Sequence, residues 1–277
     1  MMTVKPIKFG TGRQLTDLAF AQTLADFFSH YNQVPHIKQK IETLQNVINQ
    51  INNGYLPPQI TDMTITEQDI ALLQAHVLEK YPNNAERGNE YWEYLIEPLE
   101  ALDELLASLR DELIRSFDMY SYPNEDFMVA LDAYIGEWRV LELMAGQGYL
   151  TAGLRALNPH REIIATDNQA WLDQPGEHIP PVTDVLKQDA MHALEQQGRG
   201  VDVIIMSWAP DTETIDEQVL HWVRKYVPSA ELLVIGEFNG ATNSAPFWAE
   251  AQLTELEILN QRLKSFDLID EKIYIAR

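Results

Sequence analysis

Thirteen residues constrain this chain more than any others: Trp138-Arg139-Val140-Leu141-Glu142-Leu143-Met144-Ala145-Gly146-Gln147-Gly148-Tyr149-Leu150. The apolar run 140–143 carries a single acid, Glu142, and reads as a buried strand. Gly146 and Gly148 follow at alternate positions. Residues 149–157 have helical character and stop at Asn158-Pro159, where proline blocks continuation. Strand, glycine turn and helix, in that order, place bare backbone N–H groups at the mouth of a parallel sheet. Such a mouth can hold a small polar ligand against the main chain.

The same alternation continues to the end of the chain. Strand-like runs fall at 139–143, 162–166, 185–187, 201–206 and 232–235, mostly separated by gaps long enough for a helical crossover. A last strand, 272–276, belongs at or near a sheet edge. The expectation is an α/β fold: a Rossmann-like, doubly wound, mostly parallel sheet with an all-helical part before it. Ligands of such sheets sit beyond the carboxyl ends of the strands. Those ends read Met144-Ala145-Gly146, Asp167-Asn168, Asp189-Ala190, Ser207-Trp208-Ala209-Pro210-Asp211 and Gly236-Glu237, so acids recur in register at or just past four of them.

Asp167 lies 19 residues after Gly148, where a carboxylate can accept hydrogen bonds from a ribose diol. That suits either a nicotinamide dinucleotide or S-adenosylmethionine. The dinucleotide fingerprint requires a third glycine, and Tyr149-Leu150-Thr151 supplies none. At this point residues 138–211 resemble the class I S-adenosylmethionine-dependent methyltransferases. Glu142-Leu143-Met144-Ala145-Gly146-Gln147-Gly148 is similar to that family's first motif, E-x-G-x-G-x-G, with Met144 in place of the first glycine.

The resemblance implies that Ala145, Gly146 and Gly148 border the cofactor and that Glu142 orients its amino end. It implies that Asp167 holds the ribose hydroxyls, that Asn168 after it also binds the cofactor, and that Asp189 and Ala190 meet the adenine. Ser207 and Pro210 align with the polar and proline positions of a substrate-facing turn in amino-group methyltransferases. Ser207 would border the cofactor there, and Trp208 and Pro210 would wall the acceptor. Asp211 and Glu237 are candidate bases or anchors. Structural readings stand beside these. Glu142 can cap a neighbouring helix, Asp189 can be the N-cap of its own helix, Trp208 can be core, and Asp211 and Glu237 can be solvated loop charges.

Residues 14 to about 118 read as helical. Leu15, Leu18, Ala19, Gln22 and residues 25–28 recur at helical spacing. So do Ile37, Ile41, Leu44, Val47, Ile48 and Ile51, before a stop at Asn52-Asn53-Gly54. Thr66 with Asp69 reads as a capping box. A long helix is expected over 87–117, kinked or broken at Pro98. Asn124 is placed to cap a helix over 125–135 that Gly136 ends. The domain boundary is expected near residue 120, giving a helical part over 1–120 and the α/β part over 121–277. The helical part is read first as a bundle, then as a homodimer surface or a lid over the substrate.

Composition narrows the function classes. Twenty basic residues against 42 acidic ones give a formal charge of −22, which repels phosphate backbones and argues against a nucleic-acid substrate. The absence of cysteine excludes disulfides, thiolate metal sites and cysteine nucleophiles. Residues 1–12 hold no apolar run suited to a signal peptide, and no run suits a membrane span, so a soluble cytoplasmic protein is expected. No two of the seven histidines have i, i+4 metal-ligand spacing, and no metal is expected. The sequence therefore points to a methyltransferase using S-adenosylmethionine on a small-molecule or protein acceptor. A non-catalytic S-adenosylmethionine-binding interaction protein and an NAD-dependent oxidoreductase are the alternatives.

Overall fold

A computed structural model describes residues 6–10, 17–61, 63–173 and 178–277. The expected helical position Leu15 lies outside them. Six helices come first: α1 (Leu18–His30), α2 (Pro35–Asn52), α3 (Glu67–Lys80), α4 (Ala85–Ile96), α5 (Leu99–Ala107) and α6 (Leu109–Phe117). Their ends follow local chemistry. Asp17 caps α1 by accepting from Phe20 N, and Thr66 and Asp69 form a reciprocal capping box on α3. α2 stops just before Gly54, which takes a left-handed φ of 79°. The single helix expected over 87–117 is three helices. Pro98 separates α4 from α5, as its missing N–H requires. Ser108 makes a second break, at which its hydroxyl donates to the carbonyl of Leu105.

The α/β part runs α7 (Glu125–Ile135), β1 (Val140–Leu143), α8 (Tyr149–Leu157), β2 (Ile163–Asp167), β3 (Leu186–Lys187), α9 (Ala190–Gln197), β4 (Val203–Ser207), α10 (Ile215–Tyr226), β5 (Glu231–Glu237), α11 (Ala245–Glu250), β6 (Leu253–Glu255), α12 (Glu257–Asn260) and β7 (Glu271–Ala276). Asn124 caps α7 as expected, accepting from Phe127 N, and Gly136 ends it at φ 56°. The sheet order is β3-β2-β1-β4-β5-β7-β6, parallel except for β7, which runs antiparallel to β5 and β6. β7 is thus one strand in from the edge. The edge strand β6 has only three residues and escaped the sequence reading.

The pleat divides the strands between two cores. Val140, Ile163, Val203, Ile205, Leu233, Ile235 and Ile273 face one way, and Leu141, Leu143, Ile204, Met206, Leu232, Val234 and Tyr274 the other. The second face lies under α9, α10 and α11. The first lies under α7 and α8, and its cluster continues without a break through the buried leucines and isoleucines of α2, α3, α5 and α6. Specific bonds add to this packing. Tyr149 OH donates to Phe117 O at 2.9 Å, and Asn124 Nδ2 donates to Arg262 O at 3.0 Å.

A shared core couples the stability of the two parts. Urea unfolding is expected to be one transition, with the same midpoint by circular dichroism and by tryptophan fluorescence. Leu113→Ala, deep in the helical part, should destabilise it by about 2–5 kcal/mol on both probes. Two separate midpoints would contradict a single cooperative unit.

Candidate active site

The cleft opens where the sheet changes direction, between β1 and β4, beyond the carboxyl ends of the strands. Its volume is about 720 Å³, within the ~300–1,000 Å³ of small-molecule sites. Ala145, Gly146, Asp167, Asn168, Asp189, Ala190, Ser207, Trp208, Pro210 and Asp211 all line it. The sequence reading therefore brought together residues that the fold does assemble.

The glycine turn is built by strained backbone. Met144 has φ 53°, Gly146 φ 53° and Gly148 φ 77°. Met144 holds a left-handed conformation at the position where the family motif has glycine. The two glycines do different work. A side chain at Gly146 would meet nothing within 4 Å, because that position looks into the cleft. Gly148 does not line the cleft, which corrects the expectation that it borders a ligand. A Cβ there would lie 2.8 Å from Val185 Cγ2 and 2.9 Å from Thr183 Cγ2. Gly148 is required by packing and by the left-handed residue before α8.

Asp167, at the end of β2, is buried. Its Oδ2 accepts from Gly146 N at 2.9 Å; its Oδ1 accepts from Gln169 N at 2.6 Å and from Trp171 Nε1 at 3.2 Å. A carboxylate has about four acceptor positions. Three are used within the protein, which leaves one, on Oδ2, for a ligand hydroxyl. Both oxygens cannot grip a diol at once while Trp171 and Gln169 stay bound. Asn168 is exposed, and its Oδ1 accepts from Ala170 N. Asp189 caps α9, accepting from His192 N at 3.0 Å, and still faces the cleft.

Glu142 is 2% exposed, and the pleat turns it toward α8. Its Oε2 accepts from Thr151 N at 3.1 Å and from Thr151 Oγ1. Burial pushes its pKa up to about 7, against the opposing pull of the Thr151 bonds and of Arg155. The carboxyl group thus caps the first turn of α8, as the structural reading had it, while its residue also borders the cleft.

On the opposite wall Trp208, at φ 54°, is held from behind. Its Nε1 donates to Glu271 Oε1 at 2.7 Å, and the Arg110 guanidinium lies 4.8 Å from its ring. Arg110 also binds Asp267 and donates to Tyr120 O at 2.7 Å, so α6 reaches into the wall of the cleft. Burial raises the pKa of Glu271, opposed by Arg110, Trp208 and Ser121. Glu237 is a correction: it does not line the cleft. Its Oε2 accepts from Ala241 N and its Oε1 from Asp270 N, so it ties two loops together.

Sequence reasoning missed several lining residues. Ile114, Asp118, Tyr120 and Ser121 come from the end of α6 and the joint after it. Gln147 is 3% exposed; its Nε2 donates to Asp118 Oδ2 at 3.3 Å. Gln147 Oε1 and Ser207 Oγ are buried with no hydrogen-bond partner among the described residues. Two unsatisfied polar atoms at the border of one cleft are what a ligand-binding site leaves open. Glu217, His221 and Glu250 approach one another elsewhere, but Arg224 already pairs with Glu250 there.

The strand order, with β7 alone reversed and the cleft at the β1/β4 switch point, decides the fold. Residues 140–276 form a Rossmann-like, doubly wound, mostly parallel sheet, as expected from the sequence. No protein-family model and no curated protein matches the chain. Among solved structures, it is similar to human N-acetylserotonin methyltransferase in complex with SAM (14% identity, 73% of this chain and 61% of that one, TM-score 0.35). It is similar to an O-methyltransferase family protein from Burkholderia thailandensis (14% identity, 97% and 89%, TM-score 0.37). A third is 1,6-didemethyltoxoflavin-N1-methyltransferase from the same organism (13% identity, 80% and 94%, TM-score 0.32). The chain spans about 60% of the length of the first structures it matches. No helix of the described residues is long and apolar enough to cross a membrane.

Two outcomes follow from this geometry. Gly146→Ala and Gly148→Ala should each lose about 1 kcal/mol to the left-handed backbone. Gly148→Ala should lose a further ~1–3 kcal/mol to overpacking against Thr183 and Val185; equal losses in urea titrations would contradict the packing account. For Glu142 the folded pKa, about 7, lies above the ordinary value of 4.5. Its contribution is therefore intact below pH 4.5 and is lost as pH rises through 7. Relative to Glu142→Gln, the wild type should lose about 3 kcal/mol between pH 4.5 and 8, at about 1.4 kcal/mol per unit. Parallel stability curves for the two proteins would contradict it.

Proposed function

We propose that this protein is an S-adenosylmethionine-dependent methyltransferase acting on a small molecule. The observation that carries the reading is the open space above Gly146, whose N–H is pinned to Asp167 on the floor of the cleft. A ligand there lies directly on backbone, with a carboxylate beside it. Gly146 and Ala145 would border the methionine portion. The remaining acceptor position of Asp167 would take one ribose hydroxyl, and Asp189 and Ala190 would meet the adenine. Ser207 Oγ would gain the partner it lacks.

When bound, this cofactor supplies an activated methyl group on a sulfonium. The protein's own part is positioning. Aligning an acceptor with a fixed methyl donor removes an entropic barrier worth up to roughly 7–11 kcal/mol. Trp208, fixed by Glu271 and Arg110, and Tyr120 would set the acceptor's plane.

An NAD-dependent oxidoreductase is disfavoured by Glu142. A dinucleotide places its pyrophosphate at the N-terminus of the first helix. Here the N–H of Thr151, in that first turn, is taken by a buried carboxyl group. An anionic diphosphate would meet a capped helix and an acid.

In calorimetric titration S-adenosylhomocysteine should bind at one site, and NAD should give no heat. Asp167→Ala should weaken S-adenosylhomocysteine by about tenfold or more, a loss of at least ~1.4 kcal/mol. Binding of NAD without binding of S-adenosylhomocysteine would overturn the reading.

A further inference from the structure

Six acidic residues line the cleft: Asp118, Glu142, Asp167, Asp189, Asp211 and Glu213. No lysine, arginine or histidine lines it among the described residues. Four of the six are committed to the protein itself. Glu142 and Asp189 cap α8 and α9, Asp167 holds the glycine turn, and Asp118 accepts from Gln147 and Ile179 N. Asp211 and Glu213 are different. Both are exposed, both sit on the loop between β4 and α10, and neither makes a hydrogen bond or ion pair among the described residues.

A second observation has the same sign and does not rest on Asp211 or Glu213. Gln147 is almost fully buried, and the end of its amide that faces the Asp118 carboxylate must be the NH₂ group, because a carboxylate only accepts. The other end, Oε1, is therefore an acceptor, and it has no partner. It asks for an N–H or O–H donor. The same cleft has aromatic walls: Tyr120 and Trp208 line it and lie 6.3 Å apart at 52°. Aromatic faces attract cations. Arg110 stands behind Trp208 with its charge matched by Asp267 and Glu271.

We propose that the methyl acceptor is a small aromatic or apolar amine, drawn in as a cation by Asp211 and Glu213. It gives up one N–H proton to water beside these exposed carboxylates. The freed nitrogen lone pair then forms the N–CH₃ bond as the sulfonium C–S bond breaks and S-adenosylhomocysteine leaves. This rests on the methyltransferase reading above for the use of the site. A cleft of this charge rejects carboxylate and phosphate acceptors of the same shape, since each would be desolvated beside uncompensated negative charge. The formal charge of −22 on the whole chain acts in the same direction by steering cations to the surface.

The test uses the full chain saturated with S-adenosylhomocysteine, whose own binding is measured first, so that failure of the methyltransferase reading is seen separately. Three probes of one shape are then titrated: phenethylamine, 2-phenylethanol and 3-phenylpropionate. The amine should bind about tenfold or more tighter than the carboxylate, with the alcohol between them. Raising the salt should narrow the gap. The double variant Asp211→Asn/Glu213→Gln should reduce it to about threefold or less, with S-adenosylhomocysteine affinity unchanged. Equal or tighter binding of the carboxylate, failure of all three to bind the saturated protein, or a gap that survives the double variant would overturn the proposal.

Discussion

The hydrogen bond from Gly146 N–H to Asp167 joins the ends of β1 and β2 on the floor of the cleft that opens between β1 and β4. Much of the site depends on it. It fixes a turn that contains three left-handed residues, a conformation that costs energy at Met144 and has to be held from outside. The same carboxylate takes the indole N–H of Trp171 and so orders the start of the segment after β2. The floor of the cleft is therefore rigid before any ligand arrives. Rigid floors of bare backbone allow a close fit at low entropic cost.

The helical part is not an appendage to this arrangement. Its leucines and isoleucines are continuous with the apolar face of the sheet, and its last helix enters the cleft wall. Arg110 connects α6 to Glu271 on β7 and to Trp208 after β4, three segments distant in sequence. Asp118, left-handed at the end of α6, reaches Gln147 in the glycine turn. One wall of the cleft is thus made in part by Ile114, Asp118, Tyr120, Ser121 and Pro123, beside the loops of the sheet. Its buried charges are matched within the protein, while the two carboxylates on the β4–α10 loop are left to whatever enters.

The sequence made some of this legible and hid the rest for physical reasons. Strands and crossovers were visible because parallel strands buried on both faces read as apolar runs separated by helical periods. Caps at Thr66, Asn124 and Asp189 were visible because capping is local. Ser108 was not, since a serine inside a leucine stripe carries no signal of a break. β6 was hidden by its three-residue length and its edge position. In the site, residues at strand ends were readable, because topology alone places Asp167, Asp189 and Ser207. Gly148 and Glu237 were misplaced, because register fixes where a residue starts and not where packing turns it. Gln147, Asp118 and Arg110 were out of reach, since their role arises only when the helical part docks.

The most direct measurement is a crystal structure of the protein grown with S-adenosylhomocysteine. The nucleoside should lie over Gly146, with one ribose hydroxyl on Asp167 Oδ2, Trp171 still bound to Oδ1, and the base beside Asp189 and Ala190. A ligand lodged elsewhere, or a cleft filled by its own side chains with Gly146 covered, would contradict this placement.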